Sequence, residues 1–351
     1  MKKFTIVMLV LALALSAVFA QGQTEAVASS DDNKAIKGEV NAYIASSEDY
    51  CLELKERFEK DYPGIKFNYV LLGGGEIFTR LEGEKNSPQA DFITGGGADS
   101  YIRATNKGLL MDYTPDYVKE NYPDWAYSDT YVVHSTNILG ICYDKTWYDA
   151  NNLPYPTKWD DLLIPELKKN VITTNPATST TGYMMVCTLI ANRGEEEGLK
   201  YMFALDKDNI KSYEKGGTGP VNKIALGEAA AGMCYISFAI DLQEKGYTNL
   251  GVVVPEDGTG LEEGCGALVA NCKNEECAKI FYDWWTEHNS EVALASGVFN
   301  WPCDRNAKMH EGNEVYSEQL NSGRNANVDY FWCAENKDRI LSIWDKGISN
   351  K

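Results

Sequence analysis

An α/β fold in two lobes, built mainly of parallel sheet with flanking helices, is predicted by three observations. Strand-like apolar segments alternate with helical ones along most of the chain. The first three strands each end in a Ser- or Gly-rich loop that runs into a helix start. A second series of the same kind follows from about residue 137. With 351 residues, 44% of them hydrophobic and 24% charged, the chain is long enough for two ordinary domains with real cores.

The elements follow in order. Val40 to Ala45 reads as a strand, and Ser46-Ser47-Glu48-Asp49 opens a helix with a capping-box pattern. Cys51, Leu54 and Phe58 then fall on one helix face. Lys66 to Leu72 is the second strand, followed by Gly73-Gly74-Gly75 and a helix from Glu76. Asp91 to Thr94 is the third, followed by Gly95-Gly96-Gly97 and a helix from Ala98. Three such units in a row imply parallel strands with crossover helices, so all three loops lie at one edge, where ligands of open α/β folds bind. Taken singly, Ser46 and Ser47 can simply cap, and the glycines can simply turn. Three such loops on one edge, each leading to unpaired helix amides, point to a site for an anion.

The second half repeats the pattern. Asn137 to Tyr143 and Asn170 to Thr174 read as strands. Asn175 to Gly182, with Thr178, Ser179, Thr180 and Thr181, precedes an apolar helix from Tyr183 to Ala191 and can cradle an anionic group. Lys211 to Glu214 leads into Gly216-Gly217-Thr218-Gly219-Pro220. Ala230 to Tyr235, Asn249 to Val254 and Cys265 to Ala270 are strands, Ile236 to Lys245 is a helix, and Glu275 to His288 is a helix ending at an Asn. A cleft between the lobes is the economical arrangement.

Residues 1–20 read as a cleaved signal peptide: Lys2 and Lys3, an apolar run from Phe4 to Leu15, and Val18-Phe19-Ala20 at the cut. No cysteine follows the apolar run, so no acyl anchor is expected, and residues 21–37 read as a disordered leader. Removal of the signal peptide takes away two lysines and no acids, moving the net charge from −18 to −20. That balance argues against a nucleic-acid partner. Nine cysteines are an odd number; Cys272 with Cys277 is the best local disulfide pair, and Cys303 with Cys333 is a second option. With no CxxC and only three histidines, neither a metal site nor a cofactor is expected.

Several segments together resemble the periplasmic solute-binding proteins of ABC importers. They are Tyr43-Ile44-Ala45-Ser46-Ser47, Asp61-Tyr62-Pro63-Gly64-Ile65-Lys66, Ala90-Asp91-Phe92-Ile93, Asn106-Lys107-Gly108-Leu109-Leu110 and Ala225 to Met233. The likeness is to the cluster that holds ferric-ion, thiamine, phosphonate and sugar-phosphate binders. It implies a type 2 periplasmic-binding-protein fold, with crossing strands near Asn137–Tyr143 and Gly251–Cys265 and a hinged inter-lobe cleft. Lobe 1 would comprise 38–136 and 260–310, and lobe 2 would comprise 137–259 and 311–351. It also implies a monomer in the periplasm that hands a small-molecule solute to a permease in the inner membrane, without catalysis.

The ligand follows from individual residues. Ferric binders of this family use two adjacent tyrosines after the strand that ends here at Met233, and this chain offers Tyr235 alone. Tyr235 itself reads first as a core or wall residue at a strand end. A phosphate-bearing organic solute fits better: Thr178, Ser179, Thr180, Thr181 and Gly182 align with the segment that grips phosphate or phosphonate. Ser46, Ser47, Gly74, Gly96 and Thr218 would add donors. Asp241 either accepts hydroxyls or amines from the organic part or is a solvated helix charge. Trp301, in Phe299-Asn300-Trp301-Pro302, resembles the aromatic that stacks on the heterocycle in thiamine binders, although a Trp next to Pro in a tight loop is more often packing. At least one of Trp284 and Trp285 reads as core. The rival functions are a ferric-iron carrier, a solute sensor subunit and a secreted hydrolase. Against the last, no G-x-S-x-G surrounds Ser179.

Overall fold

The computed structural model describes residues 36–349. The expected signal peptide and nearly all of the expected leader lie outside them. β1 (Gly38–Ile44), α1 (Glu48–Asp61), β2 (Ile65–Leu71), α2 (Gly74–Gly83), β3 (Phe92–Gly97) and α3 (Ala98–Asn106) form three consecutive strand–helix units. β2 and β3 both pair with β1 in parallel, so their C-terminal ends share one edge. The face of α1 that carries Cys51, Leu54 and Phe58 is buried. Phe58 packs against Phe67, Phe281 and Trp284, an aromatic core in which each fully buried ring contributes about 2–3 kcal/mol.

After α4 (Asp116–Asn121), β4 (Val132–Asp144) runs for 13 residues. There follow α5 (Lys145–Ala150), β5 (Val171–Thr174), α6 (Thr180–Arg193), α7 (Glu195–Asp208), β6 (Ile210–Glu214), α8 (Gly219–Ala225), β7 (Ala231–Tyr235), α9 (Ile236–Glu244) and β8 (Leu250–Val253). The chain ends with β9 (Leu261–Leu268), α10 (Glu275–Ala295), β10 (Trp301–Pro302), α11 (Glu314–Gln319) and α12 (Tyr330–Ser349). The strand path is β2-β1-β3-β9-β4-β7-β5-β6, with β8 and β10 also paired to β4.

β4 belongs to both halves of this path. From Val132 to Ile138 it pairs with β9, and from Leu139 to Tyr143 it pairs with β7. The β8–β9 link returns the chain, since β8 pairs with the second half of β4 and β9 with the first. Two parallel sets, β2-β1-β3 and β7-β5-β6, are thereby joined through antiparallel strands. The second half has its own core, in which Trp159 and Tyr183 pack with Ile340 and Trp344 of α12.

Two expectations are corrected. α10 does not stop at His288 but continues to Ala295, because Asn289 faces inward, bonded to Tyr50 and His134, rather than capping. All nine cysteines are free and buried. Cys333 lies in the second core with Cys187, and Cys277 packs against Gly38. Neither suggested disulfide is formed.

Candidate functional site

The Gly-rich edge of the first half and the α6 start of the second half meet in van der Waals contact. A Cβ added to Gly74 would lie 3.1 Å from Thr180 Cγ2 and 3.3 Å from the Gly96 Cα, and one on Gly75 would lie 3.5 Å from the Thr178 carbonyl oxygen. Three helices therefore begin at one place: α2 at Gly74, α3 just after Gly96-Gly97, and α6 at Thr180. Apart from the Glu76 amide, which donates to the Gly73 carbonyl at 2.9 Å, helix-start amides lack the partners that interior ones have and carry partial positive charge, so the junction favours an anion. Glycine is required at this edge. Gly95 and Gly96 have φ of +98° and +87°, and a Cβ on Gly95 would stand 2.7 Å from Ala45 Cβ.

The remaining expected residues divide into two groups. Ser46 and Ser47 are exposed at the same edge, and Ser47 Oγ accepts from the Tyr50 amide, so it caps α1. Ser179 and Thr181 are buried at the start of α6, and Thr178 is exposed. Gly182 is held by close packing, since a Cβ there would be 2.8 Å from Thr174 O. Thr218 is exposed at the N-cap of α8. The neighbouring loop approaches α6 closely, with Thr181 Oγ1 2.5 Å from where a Cβ on Gly217 would be. Tyr235 is 1% exposed at the end of β7.

Asp241 and Trp301 have commitments elsewhere. Asp241 Oδ2 accepts from Lys245 Nζ at 2.8 Å, one turn along the helix. Trp301 packs against the cluster of Ile138, Ile236, Ile240 and Val254, and its indole N–H donates to Ser317 Oγ at 2.7 Å. Trp285 is fully buried, and Trp284 is 5% exposed.

Behind the helix junction lies a group of charges. Glu262 on β9 stands opposite Asn137 of β4, at the point where the chain crosses between halves. A Cβ on Gly97 would lie 3.6 Å from Glu262 Oε1 and 2.9 Å from Asp99 Oδ1. Asp99 is 2% exposed; its Oδ2 accepts from Lys337 Nζ of α12 at 2.7 Å, and Lys337 also donates to Ser100 Oγ at 3.1 Å. Burial pushes the Glu262 carboxyl up to about 7. The Thr180 and Tyr235 hydroxyls pull it down, Asp99 pushes it up and Lys337 pulls it down. Those hydroxyls face the carboxyl closely enough to act on it, yet Tyr235 Oη and Glu262 Oε1 have no well-formed hydrogen bond. Burial, reinforced by Glu262, raises the Tyr235 phenol well above 10.

Glu262, Asp99 and Lys337 were not anticipated. Glu262-Glu263, an acidic pair in a strand between glycines, was an available signal, because carboxylates are depleted in strands. Asp99 follows directly on the Gly95–Gly97 run. Lys337 had no local signal, being 238 residues from its partner Asp99.

The histidines have other partners than Ser179. His134 bonds Asn289 and is pushed down to about 3 by burial, His288 bonds the Trp284 carbonyl, and His310 accepts from the Gly312 amide. Among the described residues no helix is long and apolar enough to cross a membrane, and no cluster of three or more His, Cys, Asp or Glu could hold a metal.

Residues 41–290 match the model of the bacterial extracellular solute-binding protein family. A probable ABC transporter periplasmic-binding protein of Sinorhizobium fredii is 27% identical over 249 residues, 66% of each chain. Among solved structures, the periplasmic binding protein AfuA of Actinobacillus pleuropneumoniae, with exogenous fructose-6-phosphate bound, superposes with a TM-score of 0.82. The two are 25% identical, over 90% of this chain and 99% of AfuA. A ferric binding protein of Campylobacter jejuni shares the fold with a TM-score of 0.72 and 20% identity, over 88% of this chain and 99% of its own.

Proposed function

The chain belongs to the bacterial extracellular solute-binding protein family, and from that premise we propose that it captures a small organic anion bearing a phosphate or phosphonate group. Members of this family are non-enzymatic components of ABC importers with a two-lobed fold. The finer reading is that the chain is exported through its signal peptide to the periplasm, binds as a monomer and delivers the solute to a membrane permease.

One observation carries the choice of ligand: three helix N-termini from both lobes meet around Gly74, Gly96 and Thr180. Like partial charges brought together in this way repel unless an anion sits among them, and neutral amides and hydroxyls suffice to hold an oxyanion. The solute would bridge the lobes and favour their closed arrangement by its differential affinity for it. Thr178, Ser179, Thr180 and Thr181 would supply donors from lobe 2, and Ser46, Ser47, Gly74 and Gly96 from lobe 1. Thr218 and Tyr235 would then stand around the organic part, while Asp241 and Trp301 are engaged with Lys245 and Ser317 instead. AfuA, which shares the fold over nearly its whole length, was solved with a sugar phosphate, which supports that class ahead of a thiamine phosphate.

Ferric iron is the second reading, and the Tyr235 phenol speaks against it. Burial beside Glu262 disfavours the phenolate that iron needs, and residue 236 is Ile.

Native mass spectrometry of the protein as purified, with metal analysis of the same sample, tests the choice. A bound phosphorus-containing species of a few hundred daltons is expected. Stoichiometric iron without organic mass would overturn the reading.

A further inference from the structure

Thr180 stands between two chemically opposite surroundings. Its methyl group touches the glycine edge where the helix N-termini meet, and its hydroxyl faces the Glu262 carboxyl. The anion-favouring junction and the carboxylate are thus only one side chain apart, so a solute of modest size spans both.

The far side of Thr180 cannot accommodate a second anion. It holds two carboxyls, Glu262 and Asp99, against one ammonium, and that ammonium is already committed to Asp99 and Ser100. Tyr235, 1% exposed, aims a hydroxyl without a well-formed partner into the same place, and Glu262 Oε1 also lacks one. Buried polar groups in folded proteins are paired as a rule, and Tyr235 and Glu262, which act on each other without a well-formed hydrogen bond, keep capacity for a further partner. Glu262 Oε1 is buried, while the residue as a whole keeps some accessible surface.

We propose that Glu262 is a specificity-determining residue that accepts the hydrogen-bond-donating end of the solute, hydroxyl or ammonium, while the helix junction holds its oxyanion. The inference rests on the anion reading above and names the other half of the ligand. Tyr235 adds a second polar contact beside Glu262. Inorganic phosphate, which has no organic end, fills only the junction. A solute with donors on a short carbon frame fills both places and gains from a hydrogen bond to a charged group.

Isothermal titration of the purified protein, natural and with Glu262→Ala or Glu262→Gln, tests this with fructose-6-phosphate, 2-aminoethylphosphonate and inorganic phosphate. For whichever organic probe the natural protein binds, Glu262→Ala is expected to weaken binding by about 10- to 100-fold while phosphate binding changes less than about threefold. Glu262→Gln keeps an acceptor oxygen and loses the charge. It should therefore retain most of the affinity for fructose-6-phosphate and lose that for the aminophosphonate, which separates a hydroxyl partner from an ammonium. Circular dichroism of both variants confirms folding, and Glu262→Gln preserves the shape of the site should Glu262→Ala unfold. Equal losses for phosphate and the organic probe, or no loss for either, would overturn the inference and leave the anion reading intact. Failure of the natural protein to bind any of the three would overturn the anion reading, and the inference with it.

Discussion

Lys337 of α12 places its ammonium 2.7 Å from Asp99 Oδ2 at the start of α3, joining a helix anchored in the second core to the glycine edge of the first. The pair is nearly dry, with side chains 17% and 3% exposed. Removing one member of such a pair leaves the other buried and uncompensated.

Lys337→Met is therefore expected to destabilise the protein by about 3 kcal/mol, and Asp99→Asn combined with Lys337→Met to recover more than half of that. Urea unfolding of the two single variants and the double variant measures both. Additive losses would show that the two side chains do not interact.

Glu262 predicts a dependence of stability on pH. Its carboxyl titrates near 7 in the folded protein against an ordinary value of 4.5. The folded state therefore holds more protons than the unfolded state between those values, and stability falls as pH rises through that window. The cost is absent below about pH 4.5 and complete above about pH 7, roughly 3 kcal/mol at full size. Glu262→Gln should raise the melting temperature at pH 8 and leave it unchanged at pH 4.5. Glu263, also raised to about 7 by burial, gives its own loss in the same range, which the comparison cancels.

Gly74→Ala tests closure. The added methyl would meet Thr180 Cγ2 at 3.1 Å and the Gly96 Cα at 3.3 Å, tighter than ordinary contact. Gly74 has no positive φ, so the substitution leaves the backbone unstrained. Melting without ligand should stay within about 0.5 kcal/mol of the natural protein, and solute affinity should fall about tenfold. Unchanged affinity in a binding titration would mean that these two edges need not meet when solute is held.

Gly95→Ala should act on stability itself. A φ of +98° and a Cβ 2.7 Å from Ala45 Cβ combine strain with overlap. A loss of about 2 kcal/mol or more in chemical denaturation is expected.

The sequence displayed its local devices clearly and its distant ones hardly at all. The units around Ser46, Gly74 and Gly96 were legible because strand, small-residue loop and helix start adjoin in the chain. The meeting of Gly74 with Thr180 followed only from the two-lobe arrangement. The end of α10 was misplaced because Asn289 looks like a stop signal locally, while Tyr50 and His134, which hold it inside a helix, are far away in sequence. The carboxylate behind the junction was passed over for a related reason. The importance of Glu262 comes from burial beside Asp99, Tyr235 and Thr180, and no period or spacing records that.

The placement of α12 bears on the order of synthesis. Ile340 and Trp344 complete a core that includes Tyr183 and Trp159, and Lys337 supplies the ammonium that balances Asp99. A ribosome makes these residues after the rest of that core, so until then the second core lacks part of its interior and Asp99 its counter-ion. Nascent chains whose early elements wait for late ones stay partly open and exposed to aggregation or to holding factors. The structure thus ties the second core to residues made after its other members, and stalling synthesis before α12 should yield a chain that has every glycine of the site but an incomplete second core.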